Sequence, residues 1–215
     1  MKGIKQTEEA LRLLEDLFPV VRAPLGAGFH ELKTCGDRYV VSSKGLLLEV
    51  LRPWVHAVVP VTSETRRMVP FGPGPAIGMT LLCGLPPAEL LERFDRAAKA
   101  ASPRETAAWL TWNDLTQEWR YREVAILEHS ADSVVYERPV LGAHEHLVVD
   151  MHSHGAHRAG FSSQDNRDDH GALQVSYCVG SLDRDAPTKA TCARVLGVTL
   201  PGTSIRVGER HAASV

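Results

Sequence analysis

Residues 145–165 have the sequence EHLVVDMHSHGAHRAGFSSQD, in which an apolar run ends in two histidines and a polar loop follows. The apolar residues 147–149 predict a buried strand, and successive side chains of a strand point to opposite faces. His152 and His154 are two residues apart and are therefore expected on the same face. We predict that their imidazoles converge on one point at the end of this strand.

A gap of seven residues separates His154 from the pair Ser162 and Asp165. An i, i+3 pair places both side chains on one face at the start of a helix. If the carboxylate meets the two histidines, the set of two nitrogens and one oxygen suits Zn²⁺ and leaves a fourth tetrahedral position for water. The same Ser-x-x-Asp pattern is also typical of a helix N-cap with an acid in the first turn. The sequence thus predicts zinc at His152, His154 and Asp165, against the alternative of a polar loop and a helix cap.

The surrounding sequence predicts an α/β fold. Residues 88–101, AELLERFDRAAKAA, carry an apolar stripe at helical spacing after Pro86 and Pro87, so we expect a helix there. Val-rich and aromatic segments predict strands on both sides of the histidines: ETAAWLTWN, REVAILEHS, DSVVYERP, EHLVVDMHSHG, ALQVSYCVG and CARVLGVTL. With a further helix from Ser162, this order favours a mixed β-sheet flanked by helices.

The N-terminal part is expected to be a separate α+β extension. Residues 7–18 predict a short amphipathic helix with Leu11, Leu14 and Phe18 on one face. Two or three strands follow in RYVVSSKGLLLEVLRPWVHAVVPV, with Ser-Ser-Lys-Gly as a turn. The Pro/Gly-rich stretch PFGPGPAIG then marks a boundary, so we divide the chain into 1–80, of unknown role, and 81–215.

Composition narrows the class of protein. The chain has 215 residues, 44% of them hydrophobic, and a net charge of −2. No apolar run approaches the length of a membrane span, and the charged N-terminal residues do not form a secretory signal, so we expect a cytoplasmic protein. No Lys/Arg cluster marks a nucleic-acid surface. Without a C-x-x-C pair, the four cysteines are expected to be reduced and mostly buried thiols, not disulfides or metal ligands: Cys35, Cys83, Cys178 and Cys192.

The spacing H-x-H, seven residues, S-x-x-D in HSHGAHRAGFSSQD resembles the signature of the JAMM (MPN+, JAB-domain) zinc metalloproteases. The resemblance covers roughly residues 85–200. It implies a JAMM/MPN, cytidine-deaminase-like core and a metallopeptidase domain over 81–215. It also implies a general base on the strand after the first helix, which is Glu105 in SPRETAAWLTWN. The small residues and glycines usual after that glutamate are here Ala, Ala and Trp. Glu49 in GLLLEVLRP is the rival candidate for the base. It ranks lower because it precedes the Pro/Gly-rich stretch PFGPGPAIG and does not follow the helix.

Within that family, residues 147–171 and GLPPAELLERFDRAAKAASPRETAAW resemble the PRTRC branch. This bacterial branch is named for a three-component cassette on plasmids and other mobile elements, associated with ubiquitin-like, E1-like and E2-like proteins. The resemblance implies a zinc-dependent (iso)peptidase that uses a metal-activated water on the tail of a ubiquitin-like protein. Glu105 would be its base, and Ser162 would donate a hydrogen bond to the oxyanion.

Other interpretations stay open. The chain is alternatively a catalytically silent MPN-type scaffold, a zinc amidohydrolase of small substrates, or a protein whose residues 1–80 contact nucleic acid. Neighbouring polar residues also have two interpretations. Asp150 either orients an imidazole or has a structural role. We expect His157 in a solvated loop, His144 and His146 at a strand entry, Trp109 and Trp112 in the core or a groove, and Asp168, Asp169 and His170 on an exposed helix face.

Overall fold

The computed structural model describes residues 8–26, 28–62 and 69–208, and the side chains of residues 8–11 and 14 lie outside what it describes. The chain forms two compact units, Met1–Gly78 and Met79–Val215. Within the described residues, no helix is both long enough and apolar enough to span a membrane.

The first unit contains one helix and a sheet of strands. Its elements are α1 (Glu8–Leu17), β1 (Val20–Arg22), β2 (Gly36–Ser42), β3 (Gly45–Arg52) and β4 (Val55–Pro60). The strands lie in the order β1-β2-β3-β4, with β1 parallel to β2 and the other pairs antiparallel. The predicted helix and three strands are confirmed, although the predicted packing residues Leu11 and Leu14 lie outside the described side chains and Phe18 is exposed.

The turn between β2 and β3 shows how local sequence fixes this sheet. Ser42 Oγ donates to the carbonyl of Gly45 over 3.0 Å and accepts from the amide of Lys44 over 3.1 Å. Gly45 has a φ of +101°, a conformation that residues with a side chain rarely adopt. The Ser-Ser-Lys-Gly sequence therefore forms the turn that the sequence predicts, and Val40 and Leu47 on either side of it pack in the core.

The second unit contains two helices and ten strands, of which β5 begins at the boundary. The elements are β5 (Gly78–Leu81), α2 (Ala88–Ala101), β6 (Ala107–Asn113), β7 (Trp119–Glu123), β8 (Ala125–His129), β9 (Val134–Glu137), β10 (Glu145–Ser153), α3 (Ser163–Asp168), β11 (Leu173–Gly180), β12 (Thr188–Val195), β13 (Val198–Pro201) and β14 (Ile205–Val207). A 3-10 turn, Gly202–Ser204, precedes β14.

Six of these strands form one mixed sheet in the order β13-β12-β11-β10-β6-β7. Its described pairs are antiparallel except β10 with β11, which run parallel. Two shorter pairs lie outside this sheet, the antiparallel hairpin β8-β9 and the parallel pair β5-β14. Strands β10 and β11 are central, and the apolar runs in their sequences are buried.

Helix α2 packs on the sheet through its apolar stripe. Phe94 and Ala98 are fully buried, and the Phe94 ring contacts that of Tyr177 edge-to-face at 6.2 Å between centroids. The helix begins after Pro87 and ends at Ala101, the bounds that its sequence predicts. The fold class is therefore the predicted one, an α/β fold with a mixed sheet.

Three details of the strand predictions are wrong. Strand β6 begins at Ala107, so Glu105 precedes the strand and does not lie on it. Residues 122–130 and 192–200 are each divided between two strands, with breaks at Val124 and at the turn Leu196–Gly197. Leu196 and Gly197 both have positive φ, the geometry of a tight hairpin turn.

Candidate metal centre

The two histidines of the H-x-H motif converge at the end of β10. The Nε2 atoms of His152 and His154 lie 3.1 Å apart, and the ring centroids are separated by 5.0 Å. His154 follows the last residue of the strand, and its amide donates to the carbonyl of Val179 on β11 over 2.9 Å. This backbone bond continues the strand geometry by one residue, so both imidazoles lie on the same face.

The imidazoles direct ring nitrogens into the cleft. His154 Nδ1 lies 3.3 Å from the carbonyl of Arg158, so Nε2 is the nitrogen of this ring that faces His152. Burial lowers the pKa of His152 to about 4, so its ring is neutral at physiological pH. Phe161 closes one side of His152, with ring centroids 5.9 Å apart. The His152 side chain is therefore in the protonation state that a metal ligand needs.

Ser162 and Asp165 form the N-terminal cap of α3. Ser162 Oγ accepts from the amide of Asp165 over 3.1 Å, and the amide of Ser162 donates to Asp165 Oδ2 over 2.6 Å. This reciprocal pair is a capping box, with aspartate in place of the usual glutamate. The other carboxylate oxygen, Oδ1, lies 4.0 Å from His152 Nε2. The cap and the approach to the histidines are therefore compatible, because each uses a different oxygen.

The Asp165 carboxylate is ionised. Burial alone would raise its pKa, but the hydrogen bonds from Ser162 and the nearby imidazoles outweigh burial and lower the pKa below its usual value. An anionic oxygen beside two imidazoles is a candidate ligand for a divalent cation.

Polar contacts determine the position of α3, because none of its side chains is buried. Arg194 on β12 donates to Asn166 Oδ1 over 2.5 Å and to Asp169 Oδ2 over 3.1 Å, and its guanidinium lies 5.1 Å from the ring centre of Phe161. This buried arginine thus contacts both ends of the segment that carries Asp165. The expectation that Asp169 lies on an exposed helix face is wrong: α3 ends at Asp168, and Asp169 also accepts from the side chains of Gln174 and Ser176.

Glu105 lies at the edge of the same cleft, in the loop between α2 and β6. Its amide donates to the carbonyl of Ser130 over 2.7 Å, which fixes the backbone, while only 6% of the residue is exposed. Burial, with smaller contributions from the negative charges of Asp165 and Asp132, raises the pKa of Glu105 to about 7. A carboxyl that titrates near neutrality can both accept and release a proton at physiological pH.

The loops that carry His154 and Glu105 are held together by direct backbone contacts. The amide of Ser153 donates to the carbonyl of Thr106 over 2.9 Å, and the amide of Thr106 donates to Ser153 Oγ over 3.0 Å. Gly155 has a φ of +49° and packs against the carbonyl of Pro103, where a Cβ atom would clash. These contacts between the end of β10 and residues 103–106 therefore hold the loop of Glu105 beside the loop of His154.

Cys178 is a member of the site that sequence reasoning missed. It lies on β11 opposite His152 in the parallel register, and its Sγ and a nitrogen of each of His152 and His154 are all within 4.8 Å of one another. The expectation of buried, reduced thiols holds for Cys83, Cys178 and Cys192, whereas Cys35 is exposed. No local spacing points to Cys178, because the parallel pairing of β10 with β11 alone brings it to the histidines.

The cleft above these residues has a volume of about 760 Å³ and is lined by Glu105, both histidines, Ser162 and Asp165. The β8-β9 hairpin forms its opposite wall. Tyr136 of that hairpin donates to the carboxylate of Asp150 on β10 over 2.9 Å, and its ring packs against Trp109. The room is enough for an extended peptide segment, and it opens directly onto the candidate ligands.

The structure also places the remaining candidates. The carboxylate of Asp150 accepts from Tyr136 and Gln174 and does not contact an imidazole in the described residues, which matches the structural interpretation. His157 is an exposed loop residue, with Nε2 3.1 Å from Asp132 Oδ1. His144 and His146 each contact one oxygen of Asp114 at the entry to β10, and Trp109 and Trp112 are buried.

Glu49 lies in the first unit, in a fully buried position on β3. Its carboxylate accepts from Arg38 Nε over 2.7 Å and from the amide of Leu32 over 2.9 Å, and it contacts His56 Nε2 over 2.9 Å. Burial would raise its pKa, but these partners lower it below the usual value. A carboxylate that is held ionised by hydrogen bonds and an ion pair is suited to a structural role and not to proton transfer.

The donor set fits a zinc ion. Ligand nitrogens bound to one zinc ion at tetrahedral angles are roughly 3.3 Å apart, close to the separation of the two Nε2 atoms. The anionic oxygen of Asp165 and the sulfur of Cys178 surround the same pair of nitrogens. Neutral imidazole, carboxylate and thiol groups are the ligand types that zinc takes in proteins.

Residues 87–195 match the family described as prokaryotic homologs of the JAB domain. This match covers half of the chain and contains the candidate ligands, Ser162 and Glu105. The chain belongs to the prokaryotic JAB family. The H-x-H and S-x-x-D residues described above thus lie in its JAB domain.

Other comparisons describe the rest of the chain. Residues 10–80 match a domain of unknown function, DUF2016, so a DUF2016 region precedes the JAB domain, an order that fits the PRTRC branch. No curated protein matches the chain. The solution structure of protein DSY2949 from Desulfitobacterium hafniense is similar, with 14% identity, a TM-score of 0.41, and coverage of 59% of this chain and 93% of that protein.

Proposed function

We propose that this JAB-family protein is a zinc-dependent peptidase or isopeptidase that hydrolyses an amide bond at the tail of a ubiquitin-like protein. The observation that supports the proposal is the position of Glu105, a buried carboxyl without a cationic partner among the described residues, on the same cleft as His152, His154 and Asp165. A purely structural metal site would not need a buried carboxyl without a cationic partner beside the metal ligands.

In the proposed site, His152, His154 and Asp165 hold Zn²⁺. When bound, the metal supplies Lewis-acid chemistry, which lowers the pKa of a water molecule to about 7 and polarises the scissile carbonyl. The burial of His152 and the cap around Asp165 keep these two ligands oriented before the ion arrives.

Glu105 acts as the general base and then as the general acid. It accepts a proton from the attacking water while the new C–O bond forms, and it delivers this proton to the leaving nitrogen as the C–N bond breaks. The products are a carboxylic acid and an amine. A pKa near neutrality suits both halves of this transfer, since neither protonation state is strongly favoured.

Ser162 is placed to stabilise the oxyanion. Its oxygen already accepts from the amide of Asp165, so its hydroxyl proton is available to donate into the cleft. A donor of this kind typically contributes about 3 kcal/mol to the transition state. The same hydroxyl therefore caps α3 and donates to the reacting group.

The proposed substrate class rests on the cleft and on the resemblance to the PRTRC branch. An open cleft of about 760 Å³ admits an extended tail. Ubiquitin-like proteins of the same cassette, or their conjugates, supply such tails, and E1-like and E2-like proteins would be further partners. We propose that residues 1–80 form a separate region that docks substrate or partner.

The test is hydrolysis by the zinc-loaded full chain of a ubiquitin-like protein from the same cassette, carrying a short peptide on its C-terminus. Glu105→Gln is expected to slow cleavage by about 10² to 10⁴-fold with zinc content unchanged. Glu118→Gln, at an exposed position after β6, is the matched control and is expected to cleave normally.

Equal cleavage by Glu105→Gln and the unaltered chain, at equal zinc content, would remove Glu105 from the mechanism. Full zinc occupancy without cleavage of protein, peptide or small amide substrates would instead identify a scaffold. Cleavage of small amides alone would identify an amidohydrolase.

A further inference from the structure

We propose that Cys178 is a metal ligand of this site, completing with its sulfur a coordination shell that the H-x-H and S-x-x-D residues begin. The sulfur and the imidazole nitrogens of His152 and His154 are mutually within 4.8 Å. The inference rests on the proposed metal centre and extends it with a thiolate that the JAMM motif does not contain.

The backbone explains why the thiol is there. His152 and Cys178 are direct partners across the parallel pair β10-β11, and partnered residues project to the same face of a sheet. The cysteine side chain is fully buried. Its position is fixed by the two central strands of the sheet and not by a loop.

The contacts of the sulfur are to backbone groups. Cys178 is a free thiol, its Sγ lies 3.9 Å from the carbonyl of Val179, and the backbone of Gly160 also forms a hydrogen bond with it. Neither partner is a side chain, so no other side chain holds the sulfur away from the imidazoles among these contacts. Cys192 on β12 offers a comparison, because it is also a buried free thiol but does not belong to the ligand group of the described residues.

A thiolate changes the chemistry of the centre. With Asp165 Oδ1 only 4.0 Å from His152 Nε2, the chain can supply two nitrogens, one oxygen and one sulfur. Four protein ligands make a closed shell of the kind found in structural zinc sites, whereas hydrolysis needs one position for water. Cys178 would therefore be the fourth ligand of the substrate-free site, and hydrolysis would require a water molecule in its place.

The experiment replaces zinc with Co²⁺ in the full chain, because a cobalt–thiolate bond gives a charge-transfer absorption band in the near ultraviolet. The unaltered protein and Cys192→Ser are expected to show this band. Cys178→Ser and Cys178→Ala are expected to lose it, to keep the weaker visible cobalt bands, and to bind Co²⁺ at least about tenfold more weakly in competition with a chelator.

Visible cobalt bands without the charge-transfer band in the unaltered protein would overturn the assignment, and this result does not depend on how any variant folds. Persistence of the band in Cys178→Ser would overturn it as well. Failure of the proposed function gives a different pattern, in which the thiolate band is present but no amide substrate is hydrolysed. Absence of any cobalt binding would reject the metal centre itself.

Discussion

Glu49 in the sheet of the first unit and Glu105 at the cleft of the second unit are both buried glutamates, and the sequence offers both as a general base. Their surroundings are opposite. Glu49 contacts an arginine, a histidine and a backbone amide, and its pKa is lowered. Glu105 has negative neighbours and a pKa raised to about 7. Burial alone therefore does not identify a catalytic carboxyl. The charge of its neighbours separates a structural ion pair from a proton carrier.

The largest expected effect is the loss of stability on replacing Glu49, the structural glutamate of this comparison. Glu49→Gln leaves the half-buried guanidinium of Arg38 without its counter-charge, so we expect the free energy of unfolding to fall by about 3 kcal/mol. Chemical denaturation measures this change. Glu31→Gln, an exposed glutamate in the same unit, is the control and is expected to have little effect.

Glu49→Gln is also expected to leave zinc content unchanged. A variant as stable as Glu31→Gln would show that the ion pair has no structural role. Loss of hydrolysis in a folded Glu49→Gln protein would exchange the roles assigned to the two glutamates.

The next prediction separates the structural role of the Ser162 hydroxyl from its proposed catalytic role. Ser162→Ala removes both the cap acceptor and the proposed oxyanion donor, so we expect hydrolysis to slow by about 100-fold, near 3 kcal/mol, with zinc retained. Loss of the cap is expected to cost about 1 kcal/mol of stability. Rate, zinc content and unfolding are measured together, with the exposed neighbour Ser163→Ala as the control. Lower stability with an unchanged rate of hydrolysis would show that Ser162 only caps the helix and does not stabilise the oxyanion.

The last effect concerns pH and the metal-free protein. Because the pKa of Glu105 is higher in the folded state than in the unfolded chain, the folded state binds more protons between about pH 4.5 and 7. Stability is therefore lost across this range as pH rises. Glu105→Gln removes the penalty and is expected to be more stable than the unaltered protein by about 3 kcal/mol at pH 8.

At pH 4 the two proteins are expected to be about equally stable, since Glu105 is protonated in both states. Thermal unfolding of the metal-free proteins across this pH range gives the comparison. A difference independent of pH would show that Glu105 does not carry an uncompensated charge.

Local sequence predicted the parts of the site that depend on local geometry. The alternation of a strand places His152 and His154 together, and the capping pattern places Ser162 and Asp165 at the start of α3. The helix over 88–101 follows from its periodicity. These features depend on residues only a few positions apart.

The features that were missed depend on distant pairing. Cys178 reaches the histidines through the register of β10 with β11, and Asp169 becomes a half-buried acceptor because Arg194 donates to it from β12. Neither register is encoded in a short segment. The ion pair of Glu49 likewise needs Arg38 and His56 from the strands on either side, so its structural role is visible only in the folded sheet.

The most direct measurement of the central claim is the zinc content, by elemental analysis, of the full chain and of His154→Ala purified side by side without added metal. His157→Ala, a loop histidine that contacts Asp132 instead, is the control. The account predicts about one zinc per chain in the unaltered protein and in His157→Ala, and its loss in His154→Ala. Absence of zinc from the unaltered protein, even after zinc is supplied, would contradict the account and leave residues 152–165 as a polar loop and a helix cap.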